Sequence, residues 1–192
     1  KKYTSKSAPF VMSLESEYQR SCSIRWGSDS KLITKGADLL VYFFETSLKL
    51  IDNTGSVVFI TQNAWLDTEY GIKLQVFLKK HTNVKLVIDS KHRYFPSGEG
   101  PNINTVITTF YGNTAVESNT ISFILLKENI QNIVLSIPST RFYEDSSIKV
   151  NTFQYTDSLI AKYKWGILHN SDAFILELLS ILDKKAVPLS RL

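Results

Sequence analysis

The sequence contains few of the residues that build disulfide frameworks and metal centres. Its 192 residues include one cysteine, Cys22, so no disulfide can form within them and no thiolate zinc cluster can be built. The three histidines, His81, His92 and His169, stand far apart and lack the spacing of metal ligands. We therefore expect no metal site.

Long apolar runs are also missing. No run reaches the ~18 residues that a membrane span needs, and no charged-then-apolar leader opens the chain. We therefore expect a cytoplasmic protein without membrane contact. The net charge of +4, from 22 basic and 18 acidic residues, is compatible with nucleic-acid binding but too small to indicate it alone.

Familiar catalytic motifs are absent as well. The chain has no Gly-x-Ser-x-Gly elbow, no phosphate-binding glycine-rich loop and no metalloprotease histidine pair. The composition itself is that of a folded protein, because 43% of the residues are apolar and 21% are charged. A chain of this length can bury a core without covalent cross-links.

Alternating helix and strand patterns predict an α/β sheet. Apolar residues recur at helical spacing over 37–51 and again over 68–80. Short β-branched runs at 56–61 and 84–88 are typical of strands that are covered on both faces. This strand–helix–strand order predicts parallel strands with a right-handed crossover.

The pattern changes after the second strand. Residues 104–111 and 122–127 are rich in β-formers, with a turn at Gly112-Asn113, and predict an antiparallel hairpin. A final amphipathic helix is predicted over 171–183, with Ser171 as its N-cap.

Two regions have no clear period. Residues 1–35 are predicted to form a long loop with one short helix over 14–21. Residues 131–165 are mixed and weakly patterned.

Polar residues follow the first predicted strand directly. Ligands of open α/β sheets gather beyond the carboxyl ends of the strands, where Thr61, Gln62 and Asn63 would lie. The alternative is that these residues cap the next turn and that Trp65 packs in the core. Both interpretations stay open at the level of sequence.

A second polar segment, Asp89–Pro96, follows the next strand and should leave the sheet at the same edge. It carries Lys91, His92 and Arg93, then the aromatic residues Tyr94 and Phe95. Basic residues beside aromatics suit phosphate contact and base stacking. The alternative is a plain surface loop.

Five blocks of this sequence, in order, resemble the amino-methylating DNA adenine methyltransferases, in particular the type IIG restriction–modification enzymes. The blocks are Asp38-Leu-Leu-Val-Tyr-Phe-Phe-Glu45, Gly55-Ser-Val-Val-Phe-Ile-Thr-Gln-Asn-Ala-Trp-Leu66, Tyr70-Gly71 with Leu74-Gln-Val-Phe-Leu78, Val87-Ile-Asp89 and Asn104-Thr-Val-Ile107. Lys164-Trp-Gly166 is similar to a short signal near the family's target-recognition region. The resemblance covers about residues 36–110.

The resemblance implies a partial Rossmann-like, S-adenosylmethionine-dependent methyltransferase sheet. It would contain the later strands and an antiparallel hairpin, followed by a mixed C-terminal extension. The family transfers a methyl group to the exocyclic amine of an adenine that is flipped out of double-stranded DNA.

Two family elements are missing. The Asn-Pro-Pro-Tyr loop that grips the adenine does not occur, and neither does the glycine-rich cofactor strand before it. The resemblance therefore implies a fragment: 1–35 following the missing loop, 36–128 as the second half of the catalytic domain, and 129–192 leading into target recognition. No catalytic residue is assigned, and no cofactor is expected on the fragment alone. The N-terminal half of the same protein is its expected partner.

Residue roles follow from the resemblance. Phe95 matches the aromatic residue that stacks on the flipped adenine, with Tyr94 as the alternative. Phe43 matches a residue near the adenosyl part of the cofactor, although core packing explains it equally well. Lys91, His92 and Arg93 are candidate DNA contacts, or else ordinary surface charges.

Three hypotheses therefore compete. The first is a fragment of an adenine-N6 methyltransferase, with or without a fused endonuclease. The second is a non-catalytic methyltransferase-like module that binds DNA or a partner. The third is a structural α/β domain without affinity for DNA.

Overall fold

A computed structural model describes residues 8–33, 38–52, 54–91, 104–112, 120–129, 131 and 137–185. The helices among these residues are α1 (Ala8–Trp26), α2 (Leu39–Leu50), α3 (Glu69–His81), α4 (Ser158–Lys162), α5 (Trp165–Asn170) and α6 (Ala173–Lys185). The strands are β1 (Ser56–Gln62), β2 (Asn83–Ser90), β3 (Thr105–Tyr111), β4 (Thr120–Leu126), β5 (Phe142–Glu144) and β6 (Ile148–Gln154). Short 3₁₀ turns lie at Gly27–Leu32 and Asn63–Leu66.

The strands form one mixed sheet in the order β1-β3-β2-β4-β6-β5. β3 lies between β1 and β2 and is antiparallel to both, so β1 and β2 run parallel to each other. β4 is parallel to β2, and β6 is antiparallel to β4 and β5. This mixed α/β sheet confirms the predicted fold class and is consistent with a methyltransferase-like fold.

The predicted hairpin between residues 104–111 and 122–127 is wrong. Both edges of β3 are already occupied, by β1 and by β2, so β4 has no edge of β3 to join. It pairs with β2 instead, with Ile88 opposite Ile124. The antiparallel pair implied by the family resemblance is formed by β2 and β3, where Ile88 faces Ile107.

The long loop predicted at the start of the chain is also wrong. Helix α1 spans 19 residues, and a 3₁₀ turn follows it at Gly27–Leu32. The helix has little amphipathic periodicity. Tertiary contacts stabilise it, because the side chains of Tyr18 and Trp26 both bond to Glu45 of α2.

Asp172, and not Ser171, caps the final helix. The Asp172 carboxylate accepts a hydrogen bond from the backbone N–H of Ile175 at 2.9 Å. Ser171 belongs to the end of α5, since its N–H donates to the carbonyl of Ile167 at 3.0 Å. Ser171 and Asp172 are both good N-cap residues for α6. Asp172 takes this role because Ser171 is already bonded to the end of α5.

Two buried apolar clusters lie on opposite faces of the sheet, because neighbouring residues of a strand point to opposite sides. The larger cluster packs the helices against the sheet, with Phe44 of α2, Phe77 of α3 and Trp165 of α5 buried. Strand residues form the smaller cluster: Ile88, Ile124, Leu126, Ile148 and Val150.

The Lys164-Trp165-Gly166 segment fixes α5 to the rest of the fold. The Lys164 ammonium donates to the carbonyl of Asp67 at 2.7 Å. The Trp165 ring is buried between Trp65 and Phe123, with ring centroids 5.8 and 5.7 Å away. In this structure the segment therefore has a packing role.

Candidate functional site

Polar side chains converge where β1 and β2 end. The Asn63 backbone N–H donates to the carbonyl of Asn104, just before β3, at 2.9 Å. The Asn63 side-chain amide donates to the Asp89 carboxylate at 3.2 Å. The other Asp89 oxygen accepts from the N–H of Ser90 at 2.7 Å. The ends of β1 and β2 and the start of β3 therefore form one polar edge.

The start of α2 joins the same edge. The Gln62 side-chain amide donates to one oxygen of Asp38 at 2.9 Å. The other oxygen of Asp38 caps α2 by accepting from the N–H of Leu40 at 3.0 Å. Asp38 therefore links the end of β1 to the first turn of α2, and its negative charge suits the helix dipole.

The residues predicted to follow β1 take up two kinds of position. Trp65 is fully buried, and its indole N–H donates to the Thr61 hydroxyl at 3.3 Å, so the core interpretation holds for Trp65. Gln62 and Asn63 lie at the polar edge and donate to Asp38 and Asp89. Contact of this edge with a ligand stays a prediction.

The segment Asp89–Pro96, called here the basic and aromatic segment, starts at this edge too. Lys91 is exposed, and its N–H donates to the carbonyl of Leu126 at the end of β4 at 2.9 Å. Asn104, where the structure resumes, contacts Asn63. Four residues of the predicted site lie outside the described residues, and their roles stay predictions: His92, Arg93, Tyr94 and Phe95.

Phe43 does not pack in the core. Its side chain is 59% exposed, whereas the neighbouring Phe44 is fully buried. The core-packing explanation of Phe43 is therefore wrong. A contact between Phe43 and a cofactor stays a prediction.

β1 forms one end of the sheet among the described strands. Val58 and Ile60 are 62% and 53% exposed on one of its faces. On the other face, α2 packs over β1 through Phe44 and Phe59, whose ring centroids are 5.2 Å apart. The outer surface of α2 also exposes large apolar side chains: Leu39, Phe43 and Leu50. Apolar surface therefore lies on both sides of an unpaired strand edge, which is a typical site of further strand pairing.

A buried carboxylate network links α1 to α2 and was not anticipated from the sequence. The Glu45 side chain is fully buried and accepts from the Tyr18 hydroxyl, from the Trp26 indole N–H at 2.7 Å, and from the Lys49 ammonium at 2.9 Å. Burial raises the pKa of Glu45, but these donors outweigh it, and the pKa lies below its ordinary value of 4.5. Helical spacing could have identified it, since Glu45 falls among the inward residues Val41 and Leu48.

The described part of the chain contains no group of three or more His, Cys, Asp and Glu side chains arranged to hold a metal ion. Burial raises the pKa of the Cys22 thiol, which disfavours the reactive thiolate. None of the described helices is long and apolar enough to cross a membrane.

Comparison with known families gives a match to part of the chain. Residues 12–95 match the family model described as Eco57I restriction-modification methylase. The matched stretch begins within α1, includes β1 and β2, and ends inside the basic and aromatic segment. A search of curated proteins found no match. The family match supports a restriction–modification methyltransferase, and it covers the polar edge at the ends of β1 and β2.

Proposed function

We propose that this chain is part of an adenine-N6 DNA methyltransferase of the type IIG restriction–modification group, where it contributes the target-adenine pocket and DNA contacts. The observation that carries the proposal is the restriction–modification methylase match over residues 12–95. The sheet supports it, because an antiparallel strand lies between two parallel strands and a polar edge forms where those two end. A DNA-modifying role would place the protein in the cytoplasm.

The adenine pocket is proposed at this polar edge. The segment after β2 leaves from Lys91, and the chain returns at Asn104, beside Asn63. Phe95 lies on this segment and would stack on the flipped base, with Tyr94 as the alternative. Base–aromatic stacking is worth about 1–3 kcal/mol per base. Lys91, with His92 and Arg93, would contact phosphates of the duplex.

S-adenosylmethionine would supply the methyl group in the complete enzyme. The exposed ring of Phe43 fits a contact with its adenosyl part, since a flat apolar surface is available near the start of α2. The chain holds no Asn-Pro-Pro-Tyr loop. The residues present therefore provide a partial site, and we expect the isolated chain not to bind the cofactor. This expectation can be checked by calorimetry.

The N-terminal half of the same protein is the proposed partner of the unpaired β1 edge. A strand added at β1 would satisfy its free backbone groups. The exposed side chains of Val58 and Ile60 below that edge, and those of α2 above it, would then be covered. The sheet described here would then continue, at β1, into strands of the N-terminal half of the protein.

The first prediction concerns the catalytic role and uses the complete protein whose gene encodes this chain. We expect it to transfer a labelled methyl group from S-adenosylmethionine to adenine in mixed-sequence DNA. Phe95→Ala should lower the rate about 10- to 100-fold, the kinetic equivalent of one lost stacking contact. Cofactor affinity, measured by calorimetry, should stay nearly constant.

Tyr94→Ala is the matched control, because it removes the neighbouring aromatic ring. A rate unchanged by Phe95→Ala but reduced by Tyr94→Ala would transfer the stacking role to Tyr94. A rate unaffected by both would contradict a base-stacking pocket on this segment. No transfer by a folded complete protein that still retains DNA would favour the non-catalytic module.

The second prediction tests the β1 edge with Ile60→Lys. In the isolated chain this exposed position should tolerate lysine, with a change within about 0.5 kcal/mol in the free energy of unfolding. In the complete protein the lysine would be buried against the other half. We therefore expect the yield of soluble protein and its methyl-transfer activity to fall together.

Ile24→Lys is a suitable control because Ile24 is 79% exposed on α1, an element that is not part of the sheet. It should leave the complete protein unchanged. Equal tolerance of both lysine variants in the complete protein would contradict strand pairing at β1.

A further inference from the structure

A cavity of about 450 Å³ lies between α3 and α4. Its walls are largely apolar and come from one face of α3, from α4 and from the residue that follows α4: Ile72, Val76, Ile160 and Tyr163. Small-molecule sites typically have volumes of about 300–1,000 Å³, with apolar walls and a few polar groups. The cavity therefore has the size and the lining of a small-molecule site.

Three lysines line the same cavity, and two of them are paired. The Lys80 ammonium forms an ion pair with Asp29 at 2.7 Å, and Lys162 forms one with Asp183 of α6. Lys79 differs from both, because its side chain is half-buried and no carboxylate of the described residues lies within ion-pair distance of it. The cavity therefore contains a cation without a counter-ion of its own.

Asp157 is the acidic group whose charge acts on Lys79, but its carboxylate is already engaged. It pairs with Arg141 at 2.6 Å and caps α4 by accepting from the N–H of Leu159 at 3.0 Å. Burial lowers the pKa of Lys79 below its ordinary value of 10.5, and the charge of Asp157 opposes this shift without reversing it. An anion beside Lys79 would offset the cost of burying its charge.

The other buried polar residue of the lining has no free hydrogen-bonding group. The Gln75 side-chain amide donates to the carbonyls of Trp65 and Leu66, and its oxygen accepts from the N–H of Trp165. Lys79 is therefore the charged group that is left to bind a ligand. Ile72, Val76 and Lys79 are spaced by four and three residues, so the ammonium and the apolar walls share one face of α3.

This combination determines the kind of ligand. One ammonium balances one negative charge, which matches a carboxylate better than a phosphate monoester with about −1.5 to −2 charges. An apolar cavity of about 150 Å³ already holds benzene, so this one has room for a longer hydrocarbon group.

We propose that the cavity binds an apolar monocarboxylate. Its carboxylate pairs with the Lys79 ammonium, and its hydrocarbon part packs against Ile72, Val76 and Ile160. This inference does not rest on the proposed methyltransferase function.

Calorimetric titration of the 192-residue chain with octanoate tests the proposal, with octanol as the neutral probe of equal length. We expect octanoate to bind at one site with a dissociation constant between about 0.1 and about 1 mM. Octanol should bind at least about tenfold more weakly, because it gains no ion pair. A plain apolar cavity would give the opposite order, since a carboxylate costs more to desolvate than a hydroxyl group.

Two lysine variants test the position of the carboxylate. Lys79→Gln keeps most of the side chain and removes the charge, so it should weaken octanoate at least about tenfold and leave octanol unchanged. Lys80→Gln is the matched control on the same helix. It lines the cavity too, but its charge is exposed and paired with Asp29, so octanoate affinity should change less than about twofold. Urea denaturation verifies that both variants fold.

Nuclear magnetic resonance tests the place of binding. Octanoate should shift the amide signals of Ile72, Val76 and Lys79. The signals of Val58 and Ile60, which are exposed apolar residues of β1, should not move. Val76→Trp should weaken both probes, because Val76 is 45% exposed and a larger ring there would occupy the cavity without disturbing the core.

Three results would overturn the proposal. One is octanol binding as tightly as octanoate, which would mean that the cavity recognises no charge. Another is octanoate affinity that Lys79→Gln leaves unchanged, which would place the carboxylate elsewhere. The third is a folded chain that binds neither probe, which would leave the cavity to a side chain of a protein partner.

Discussion

Gly71→Ala should destabilise the protein by about 4 kcal/mol, near the upper end of single-substitution effects. A Cβ atom at residue 71 would lie 1.7 Å from the carbonyl oxygen of Trp65 and 2.5 Å from its carbonyl carbon. These are backbone atoms, so no side-chain rotation can relieve the overlap. The first turn of α3 would have to move away from the 3₁₀ turn at Asn63–Leu66.

That displacement would break the hydrogen bonds of Gln75, which lies one turn further along α3. The buried Gln75 side-chain amide donates to the carbonyls of Trp65 and Leu66 at 3.0 and 3.1 Å. Its oxygen accepts from the backbone N–H of Trp165 at 3.2 Å. Gly71 and Gln75 share one face of the helix, so the close approach at Gly71 brings Gln75 within reach of the turn. The hydrogen bond from Trp165 to Gln75 also links α5 to α3.

Urea denaturation followed by tryptophan fluorescence measures the effect, because Trp65 and Trp165 both bond to the Gln75 side chain through their backbone atoms. Lys73→Ala is the matched control: Lys73 is exposed on the same helix, and its loss should change stability by less than about 0.5 kcal/mol. A Gly71→Ala change below about 1 kcal/mol would contradict the tight contact between α3 and the turn.

Gly71 also indicates how far sequence could lead to this structure. Tyr70-Gly71 belongs to one of the blocks that resemble the methyltransferase family, but sequence gives no reason for the glycine. The reason is the carbonyl of Trp65, which only the folded chain brings close. Helical spacing, in contrast, located α2 and α3 to within a few residues, because each buries a regular apolar face.

The local sequence pattern could not determine which strands pair with each other in the sheet. β3 enters between β1 and β2, and this depends on contacts between distant residues. β6 was missed for a different reason: Lys149 and Asn151 interrupt its apolar pattern although both are buried. Their side chains donate to the carbonyls of Asn170 and Leu168 at the end of α5, at 2.8 and 2.9 Å, so their polar atoms are satisfied.

In the candidate site, too, some features could be predicted from sequence and others could not. The rule that ligands gather beyond the ends of strands correctly brought Asn63 and Asp89 to one edge. It could not foresee that Gln62 would bond Asp38 of α2, because that contact depends on where the helix begins. The resemblance singled out Phe43, and only the structure separates its exposed ring from the buried ring of Phe44.

Glu45→Gln should lower the free energy of unfolding by about 3 kcal/mol at neutral pH. Two of the three donors around the Glu45 carboxylate, Tyr18 and Lys49, share one of its oxygens, and Trp26 bonds the other. Glutamine keeps a single acceptor and turns an NH₂ group toward one set of donors. At least one buried donor then loses its partner, and the Lys49 ammonium loses its counter-charge.

The pH dependence of stability distinguishes the charge from the shape of this side chain. The folded pKa of Glu45 lies below its ordinary value of 4.5, so between these two values the unfolded chain binds the proton and the folded chain does not. Stability therefore rises with pH in this interval. The contribution of Glu45 is fully present above pH 4.5 and is lost as the pH falls through the folded pKa.

The measurement is a pair of urea denaturation series at several pH values between about 2.5 and 7, for the natural chain and for Glu45→Gln. Other carboxyl groups titrate in both proteins, so the difference between the two series isolates Glu45. This difference should be largest at neutral pH and shrink in acid. Tyr18→Phe, which removes one donor and leaves the carboxylate, should cost about 1 kcal/mol and weaken the acid dependence, because the Tyr18 hydrogen bond is the largest of the contacts that lower the pKa of Glu45. A difference that stays constant across the whole range would mean that packing, and not the buried charge, joins α1 to α2.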